Sequence, residues 1–311
     1  LMLVACDYPH CAFVLESDDR GGSWSAPRPV GADAQGNPSV SMGTSLAYLG
    51  KGRVMLYAGS GGIGGNPARF FSDDYGRTWG NPVAIGPTPD GKPWYTWDPP
   101  LIERDASGAV RRIAETGYTW LRPPEVETAH QQGYIRFSTD DGKTWSEAVK
   151  VPQWRAVSEV ALLRAANGDL VGACRTDMPP RMEGDIDHAE GLGISISKDD
   201  GRTWSDVEKL YDWGRHHPSM VLLPDGEIVM TYVVRKGYTN DEEGFARFGI
   251  EAVISRDHGA SWDLPHRFVL AKWSGNRTGA NEWWPSSQAS STVLLPDGYI
   301  LTAFGTGYRS Q

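Results

Sequence analysis

One eight-residue pattern, Ser-x-Asp-x-Gly-x-(Ser/Thr)-Trp, occurs five times in this chain of 311 residues. The copies are SDDRGGSW (17–24), SDDYGRTW (72–79), STDDGKTW (138–145), SKDDGRTW (197–204) and SRDHGASW (255–262). Their aspartates, Asp19, Asp74, Asp140, Asp199 and Asp257, are separated by 55, 66, 59 and 58 residues. Repetition at a fixed period defines an architecture of stacked or radially arranged units. Each copy follows an apolar or alternating segment such as Ala12 to Glu16 or Tyr134 to Phe137. That is a strand entering a tight turn, with Asp and Ser satisfying turn amides, Gly tolerating a left-handed backbone and Trp packing the turn onto its sheet. These carboxylates are therefore expected to be structural.

A second repeat lies upstream of the first. Residues 161–175, 219–232 and 291–303 are apolar hairpins turning at Asn-Gly, Pro-Asp-Gly and Pro-Asp-Gly, with looser versions around Gly52 and Gly108. One unit is then a hairpin, a third strand, the Asp-containing turn and a fourth strand. A four-stranded antiparallel unit repeated radially is a propeller blade. About 58 residues per unit is too few for a chain of separate sandwiches. The fold class expected is all-β, a six-bladed β-propeller spanning 1–311 as a single domain, with five-bladed closure as the alternative. The first Asp-turn lacks its upstream strand and the last hairpin lacks a following Asp-turn, so the first and last blades are expected to be incomplete.

Composition agrees. Gly 37 and Pro 21 make about a fifth of the chain, beside 13 Trp, which suits many turns with large anchors. A net charge of −9 argues against non-specific nucleic-acid binding. No run of 18 apolar residues exists, so no membrane span is expected. Three cysteines (Cys6, Cys11, Cys174) make neither a disulfide framework nor a CxxC metal site. Leu1 to Cys6 reads as a buried strand rather than a signal peptide.

The eight-residue turns resemble the Asp-box (BNR) repeats of sialidases and their relatives, along the whole chain. That resemblance implies a six-bladed propeller with three arginines gripping a substrate carboxylate, an Asp acid/base, and a Tyr nucleophile paired with a Glu. Ser158-Glu159 followed by the hairpin ending at Arg175 is similar to the family stretch holding that Glu and the second arginine, which carries Glu159 and Arg175 over. Leu1 to Glu16, with Asp7-Tyr-Pro-His10 between two apolar strands, is similar to the region holding the catalytic Asp, which points to Asp7. Arg235 is the candidate for the third arginine, and the first would fall before Leu1. No tyrosine matches the nucleophile; Glu282 to Gln288 occupies that approach. Such propellers also serve as other glycosidases, lyases and binding modules, since fold does not fix function.

The units themselves say which residues share a rim. If the Asp-turns join third and fourth strands on one rim, first-strand starts and second-strand ends face the other, where loops meet a central opening. First-strand starts carry Asp98, Glu159, His216-His217 and Glu282-Trp283-Trp284. Second-strand ends carry Asp7, Arg122, Glu125, Arg175, Arg235, Tyr238 and Arg309. The guanidinium fork suits planar anions, so Arg175, Arg235 and Arg309 are candidate substrate ligands, with Arg122, Glu125, His216 and Tyr238 beside them. His216 and His217 cannot both point inward from a regular strand; one is expected in the opening and the other packed. The acidic stretch from Met182 to Glu190 is expected to be a solvated loop, and its spacing matches no EF-hand or His-x-x-x-His set. No metal and no cofactor are expected. The function expected is a sialidase-like glycoside hydrolase acting on an anionic or decorated oligosaccharide or glycoconjugate, with Glu159 and either Asp7 or His217 moving protons. The alternatives are a uronate-specific polysaccharide lyase and a non-catalytic carbohydrate-binding propeller. The resemblance also implies an extracellular or periplasmic location.

Overall fold

A computed structural model of the chain describes residues 2–7, 11–31, 35, 39–60, 66–179, 182 and 190–307. The chain is all-β and divides into two compact units, residues 1–119 with 134–150 and residues 120–133 with 151–311. The first unit opens with a three-stranded sheet, β1 (Met2–Asp7), β2 (Cys11–Glu16) and β3 (Arg28–Pro29). A four-stranded sheet follows in the order β4 (Val40–Gly50), β5 (Arg53–Ser60), β6 (Asn66–Ser72), β7 (Val83–Ala84). The next sheet, β8 (Leu101–Arg104), β9 (Val110–Leu121), β10 (His130–Ser138) and β11 (Val149–Arg155), contains the boundary between the units. The second unit continues with β12 (Val157–Arg164), β13 (Leu170–Thr176), β14 (Gly191–Ser197) and β15 (Glu208–Tyr211). After them come β16 (Arg215–Leu222), β17 (Ile228–Val234), β18 (Arg247–Ser255) and β19 (Phe268–Ser274), then the two-stranded sheet β20 (Ser290–Leu294) and β21 (Ile300–Phe304).

Every four-stranded sheet pairs its strands in chain order, which is the blade organisation the repeats predict. The count needs correction: among the described residues four sheets have four strands, not six. The physical reason lies in the offset of the two repeats. The first Asp-turn closes a sheet of three strands and the last glycine hairpin makes a sheet of two.

The second strands β13 and β17 do not alternate because both of their faces are covered. All seven residues of β13 and of β17 are buried. In the second unit their side chains build one core with Val171, Ala173, Leu192, Met230, Tyr232 and Val253. The first unit has a corresponding core around Met55, Tyr57, Ile113 and Tyr134. There the indole of Trp94 lies so close to Gly117 that an added Cβ would sit 2.3 Å from a ring carbon, so only glycine fits.

The repeated turns share one hydrogen-bond pattern. In the fourth copy the Ser197 hydroxyl and the Thr203 backbone N–H donate to Asp199 Oδ1 at 2.9 and 2.8 Å, and the Thr203 hydroxyl donates to Oδ2 at 2.6 Å. Gly201 N–H donates to the Ser197 hydroxyl, and the Trp204 indole donates to the Gly201 carbonyl. These bonds hold two successive left-handed residues, Asp200 (φ 65°) and Gly201 (φ 89°). A left-handed non-glycine residue costs roughly 1–2 kcal/mol, and the box of side-chain bonds offsets it. Hydrogen bonds from the Ser or Thr immediately before Trp, led by its hydroxyl, hold Asp19, Asp74, Asp140 and Asp199 down to about 2. At Asp257 burial opposes the shift, but the bonds from Ser261 and Ser255 outweigh it and the carboxyl is still lowered.

The first unit also buries a charged cluster that sequence reasoning did not foresee. Glu115 on β9 accepts from Arg69 Nη2 at 2.8 and 2.9 Å and from Arg136 Nε at 2.7 Å, and the Tyr57 hydroxyl donates to it. The Arg69 guanidinium lies 4.1 Å from the ring centre of Trp145, and that of Arg136 lies 4.3 Å from that of Trp94. One carboxylate thus satisfies two arginines whose remaining faces rest on indoles.

Three outcomes follow for stability. A folded-state carboxyl held near 2 against an ordinary 3.8 stabilises the fold fully above pH 3.8, and that contribution disappears as pH falls through about 2. Asp199→Ala therefore lowers the urea midpoint at neutral pH, and its deficit against the parent narrows steadily as the pH is taken below 3.8. In the buried cluster, Glu115→Ala leaves two guanidinium groups uncompensated and costs about 3–5 kcal/mol in denaturant unfolding. Asp141→Ala, which breaks a pair at 2.8 Å with Arg53 where Asp141 is 38% exposed, costs about 1 kcal/mol or less.

Candidate functional site

Two backbone irregularities in the second unit create the site. Along β12 and β13, Ser158 pairs with Arg175 and Val160 with Cys174, so Glu159 is an extra residue in a bulge. Along β16 and β17, pairing jumps from His216 and Val233 to Ser219 and Thr231, which leaves one extra residue there too. Glu159 (φ 49°) and His217 (φ 53°) both adopt the left-handed region. Non-glycine residues persist in that region only where surrounding bonds over-determine them, and bulges re-aim side chains beside functional sites.

The bulges gather their side chains. Arg175 Nη1 donates to Glu159 Oε1 at 2.9 Å, and Arg175 Nε donates to Glu190, which immediately precedes β14. His217 Nδ1 lies 2.7 Å from Glu159 Oε2. On the far side of the ring, Arg235 Nη2 lies 3.3 Å from His217 Nε2. Arg235 is in turn fixed by the Ser287 carbonyl at 3.1 Å and Gln288 Oε1 at 2.7 Å. Ser290 closes the back of the site by donating its hydroxyl to the His217 carbonyl at 3.1 Å. Glu159, Arg175, His217 and Arg235 are 6, 5, 3 and 1% exposed.

The partners dictate the histidine's protonation. Arginine can only donate, so Nε2 of His217 is the accepting nitrogen and Nδ1 carries the hydrogen toward Glu159. Burial pushes the His217 pKa below its ordinary 6.5, with Arg235 and Arg175 adding to the shift against the opposing pull of Glu159. The result is a neutral imidazole with its Nε2 lone pair beside a guanidinium, a base oriented by a carboxylate.

His216 is buried beside it, with ring centres 4.5 Å apart at 47°. Ligand atoms of Glu159, His216 and His217 lie within 4.8 Å of one another, a spacing that a cation could bridge. The same atoms face guanidinium groups, since Arg175 occupies Glu159 Oε1 and Arg235 faces His217 Nε2. Two fixed positive charges at those ligand atoms suit proton chemistry better than a divalent cation.

Several expectations are revised here. The two histidines were expected on opposite sides of a regular strand; the bulge removes the alternation and buries both in one cluster. Glu190 was expected in a solvated loop, yet it is buried against Arg175 because it sits at the head of a buried third strand. Arg122 and Glu125 stand exposed on the turn after β9, outside the buried cluster, where Arg122 lies 5.8 Å from the Trp120 ring centre. Asp7 ends β1 in the first unit and its side chain lies outside the described part of the structure. Arg309 also lies outside the described residues. Asp98 is in the first unit, where its carbonyl accepts from the Ser45 hydroxyl at 3.4 Å.

A cleft of about 400 Å³ opens against the outer side of Arg235. Trp213, Trp283, Tyr238 and Phe248 wall it, and Lys236, Arg247 and Glu282 supply charge. Tyr238 is held there by its hydroxyl bond to Glu251 at 2.8 Å, and burial pushes its phenol well above the ordinary value. Arg247 was missed because third-strand starts were left off the expected rim. The same loop that ends a second strand begins the third, so both belong on it.

Comparison with known proteins agrees with this architecture. The model of the BNR repeat-like domain matches residues 11–232. No curated protein sequence matches the chain. Among solved structures, a protein of unknown function from Dyadobacter fermentans is similar over 94% of this chain and 79% of its own, at 18% identity and a TM-score of 0.64. The NanB sialidase of Streptococcus pneumoniae is similar over 98% of this chain at 13% identity and a TM-score of 0.63; the chain spans 63% of that protein's length. A polysaccharide lyase of family PL25, an ulvan lyase, is similar over 98% of this chain and 73% of its own, at 12% identity and a TM-score of 0.53. At these identities the likeness concerns the fold. With a sequence match over most of its length and Asp-box turns closing five of its sheets, the chain belongs to the BNR repeat-like domain family.

Proposed function

We propose that the chain is a glycoside hydrolase of sialidase-like architecture acting on an anionic or decorated glycan. The observation carrying this reading is the buried Glu159–His217–Arg235 relay beside an aromatic-walled cleft. Glycosidic cleavage needs one group to protonate the departing oxygen and another to take a proton from the attacking water. In this reading His217, held neutral by burial and oriented by Glu159, takes the water proton at Nε2 once the Arg235 N–H turns from that nitrogen to the substrate. Arg235 then holds the carboxylate or sulfate of the substrate, and Arg175 keeps Glu159 in place. Glu282, on the cleft wall, is assigned to protonation of the departing oxygen. Arg122 and Glu125 are assigned to outer sugar residues, as their exposure suits. The setting that goes with this reading is extracellular or periplasmic.

One observation also favours elimination. A neutral histidine beside a guanidinium is the arrangement that removes the proton next to a uronate carboxylate while arginine neutralises that carboxylate. An unsaturated product with new ultraviolet absorbance identifies the lyase, and a reducing end without it identifies the hydrolase.

The test is a turnover screen on sialosides, uronides and neutral glycans. On the glycan that is cleaved, Glu159→Gln and Arg175→Ala each lower kcat/KM by roughly 10²–10⁴-fold. Glu282→Gln lowers kcat, and an unchanged kcat removes Glu282 as the acid. Arg122→Ala and Glu125→Ala raise KM with kcat unchanged, the mark of binding lost equally from substrate and transition state. Full activity in both Glu159→Gln and Arg175→Ala sinks the assignment. Saturable glycan binding with no turnover across the screen favours a binding module instead.

The lowered pKa of His217 sets the acid limb. A base must be neutral, so kcat/KM holds below pH 6.5 and falls only as pH drops through the depressed value. His217→Gln removes that limb from the profile; a limb that survives in the variant belongs to another group.

A further inference from the structure

The cleft beyond Arg235 does not end at Arg247. A second hollow of about 440 Å³ adjoins it, with Arg247 lining both. Each is in the size range that encloses a drug-sized ligand. Together they make a two-compartment groove in the second unit, longer than one sugar ring requires. The compartments differ in charge. Arg235, Lys236 and Arg247 outweigh Glu282 in the inner one, while Asp241, Glu242 and Glu243 outweigh Arg247 in the outer one.

The acidic side is built rather than loose. Asp241 Oδ1 accepts from the N–H of Glu243 at 3.1 Å and of Phe245 at 2.8 Å, and Asn240 donates to the Gly244 carbonyl at 3.0 Å. Those bonds fix the turn, and Asp241, Glu242 and Glu243 line the groove from it. The inner side is equally fixed: Trp273 donates to the Pro285 carbonyl at 2.7 Å beside Trp283, and Lys272 Nζ stands 4.4 Å from the Tyr238 ring centre.

We propose that this groove binds a glycan of alternating character, with an anionic sugar in the inner compartment and a neutral, amide-bearing sugar in the outer one. The inner guanidinium and ammonium groups match a carboxylate or sulfate, and the indoles of Trp213 and Trp283 take the apolar face of the ring. Carboxylates only accept hydrogen bonds, so the outer compartment welcomes amide N–H and hydroxyl donors and repels a second anion. Arg247 marks the boundary and reads the order of the two sugars. This deepens the proposed glycan activity and rests on that reading for the site.

Binding of three tetrasaccharides tests it, by calorimetry and tryptophan fluorescence: a hyaluronan tetrasaccharide (alternating uronate and N-acetylhexosamine), tetragalacturonate (all anionic) and chitotetraose (all neutral). The alternating probe binds tightest, by about tenfold or more over either of the others. Arg247→Ala removes that preference, whereas Arg247→Lys retains part of it. Glu242→Gln with Glu243→Gln, both on the exposed turn, raises affinity for tetragalacturonate. Equal or tighter binding of tetragalacturonate by the parent protein overturns the proposal. So does an unchanged order of affinities in Arg247→Ala, or no binding of any probe. The two readings fail separately. The predicted order with no turnover in any screen removes the hydrolase and keeps the groove; turnover without that order does the reverse.

Discussion

The bond from a turn amide to an aspartate carboxylate is the interaction on which this structure depends. Each third strand must reverse into a fourth, and the reversal uses two consecutive left-handed residues of which only the second is glycine. Without the carboxylate, that backbone is unfavourable and the outer strand has nothing to fix where it begins. With it, Trp is delivered against the sheet, and the outer strand needs little apolar content of its own. β15 and β19, both largely exposed, show how little burial an outer strand requires once its entry is fixed.

Buried charge is used in two different ways. Around Glu115, one carboxylate is shared by two arginines that lie on tryptophan faces, and the cluster ties strands of the first unit together. Around Glu159, two carboxylates, two guanidiniums and an imidazole are strung in sequence, with the last guanidinium on a cleft wall. Both arrangements carry the desolvation penalty of removing ions from water. Only the second connects the buried charges to a space that a ligand can enter.

The sequence made strand order legible because its signals were local. Turn glycines at 52, 108, 168, 226 and 298 all adopt positive φ, as the hairpins required, and four of the five Asp-turns join third and fourth strands while the first joins the last two of a three-stranded sheet. Glu159, Arg175, His217 and Arg235 were legible as rim residues for the same reason: strand ends could be counted. Their mutual contacts were not. The bulge at Glu159 carries no glycine or proline, while the one at His217 is marked by Pro218, a residue that strands admit at bulges. Glu115 and Arg69 were invisible because charged residues in the middle of buried strands find each other through packing across sheets, a distance no local pattern encodes. Glu190 was misjudged because its neighbours in sequence are acidic, while its neighbour in space is Arg175.

The left-handed position near the start of a first strand occurs at Met42 in β4, at Glu159 in β12 and at His217 in β16. One backbone kink therefore accepts a thioether, a carboxylate and an imidazole. Strain resides in the main chain, and the identity of the side chain is left open. Such a site behaves as a socket: a blade can be re-equipped with a new acid, base or apolar plug by one substitution, and the sheet around it need not move. Diversity of chemistry within a single propeller plan then has a definite material origin, in a kink repeated from blade to blade whose occupant is free to change.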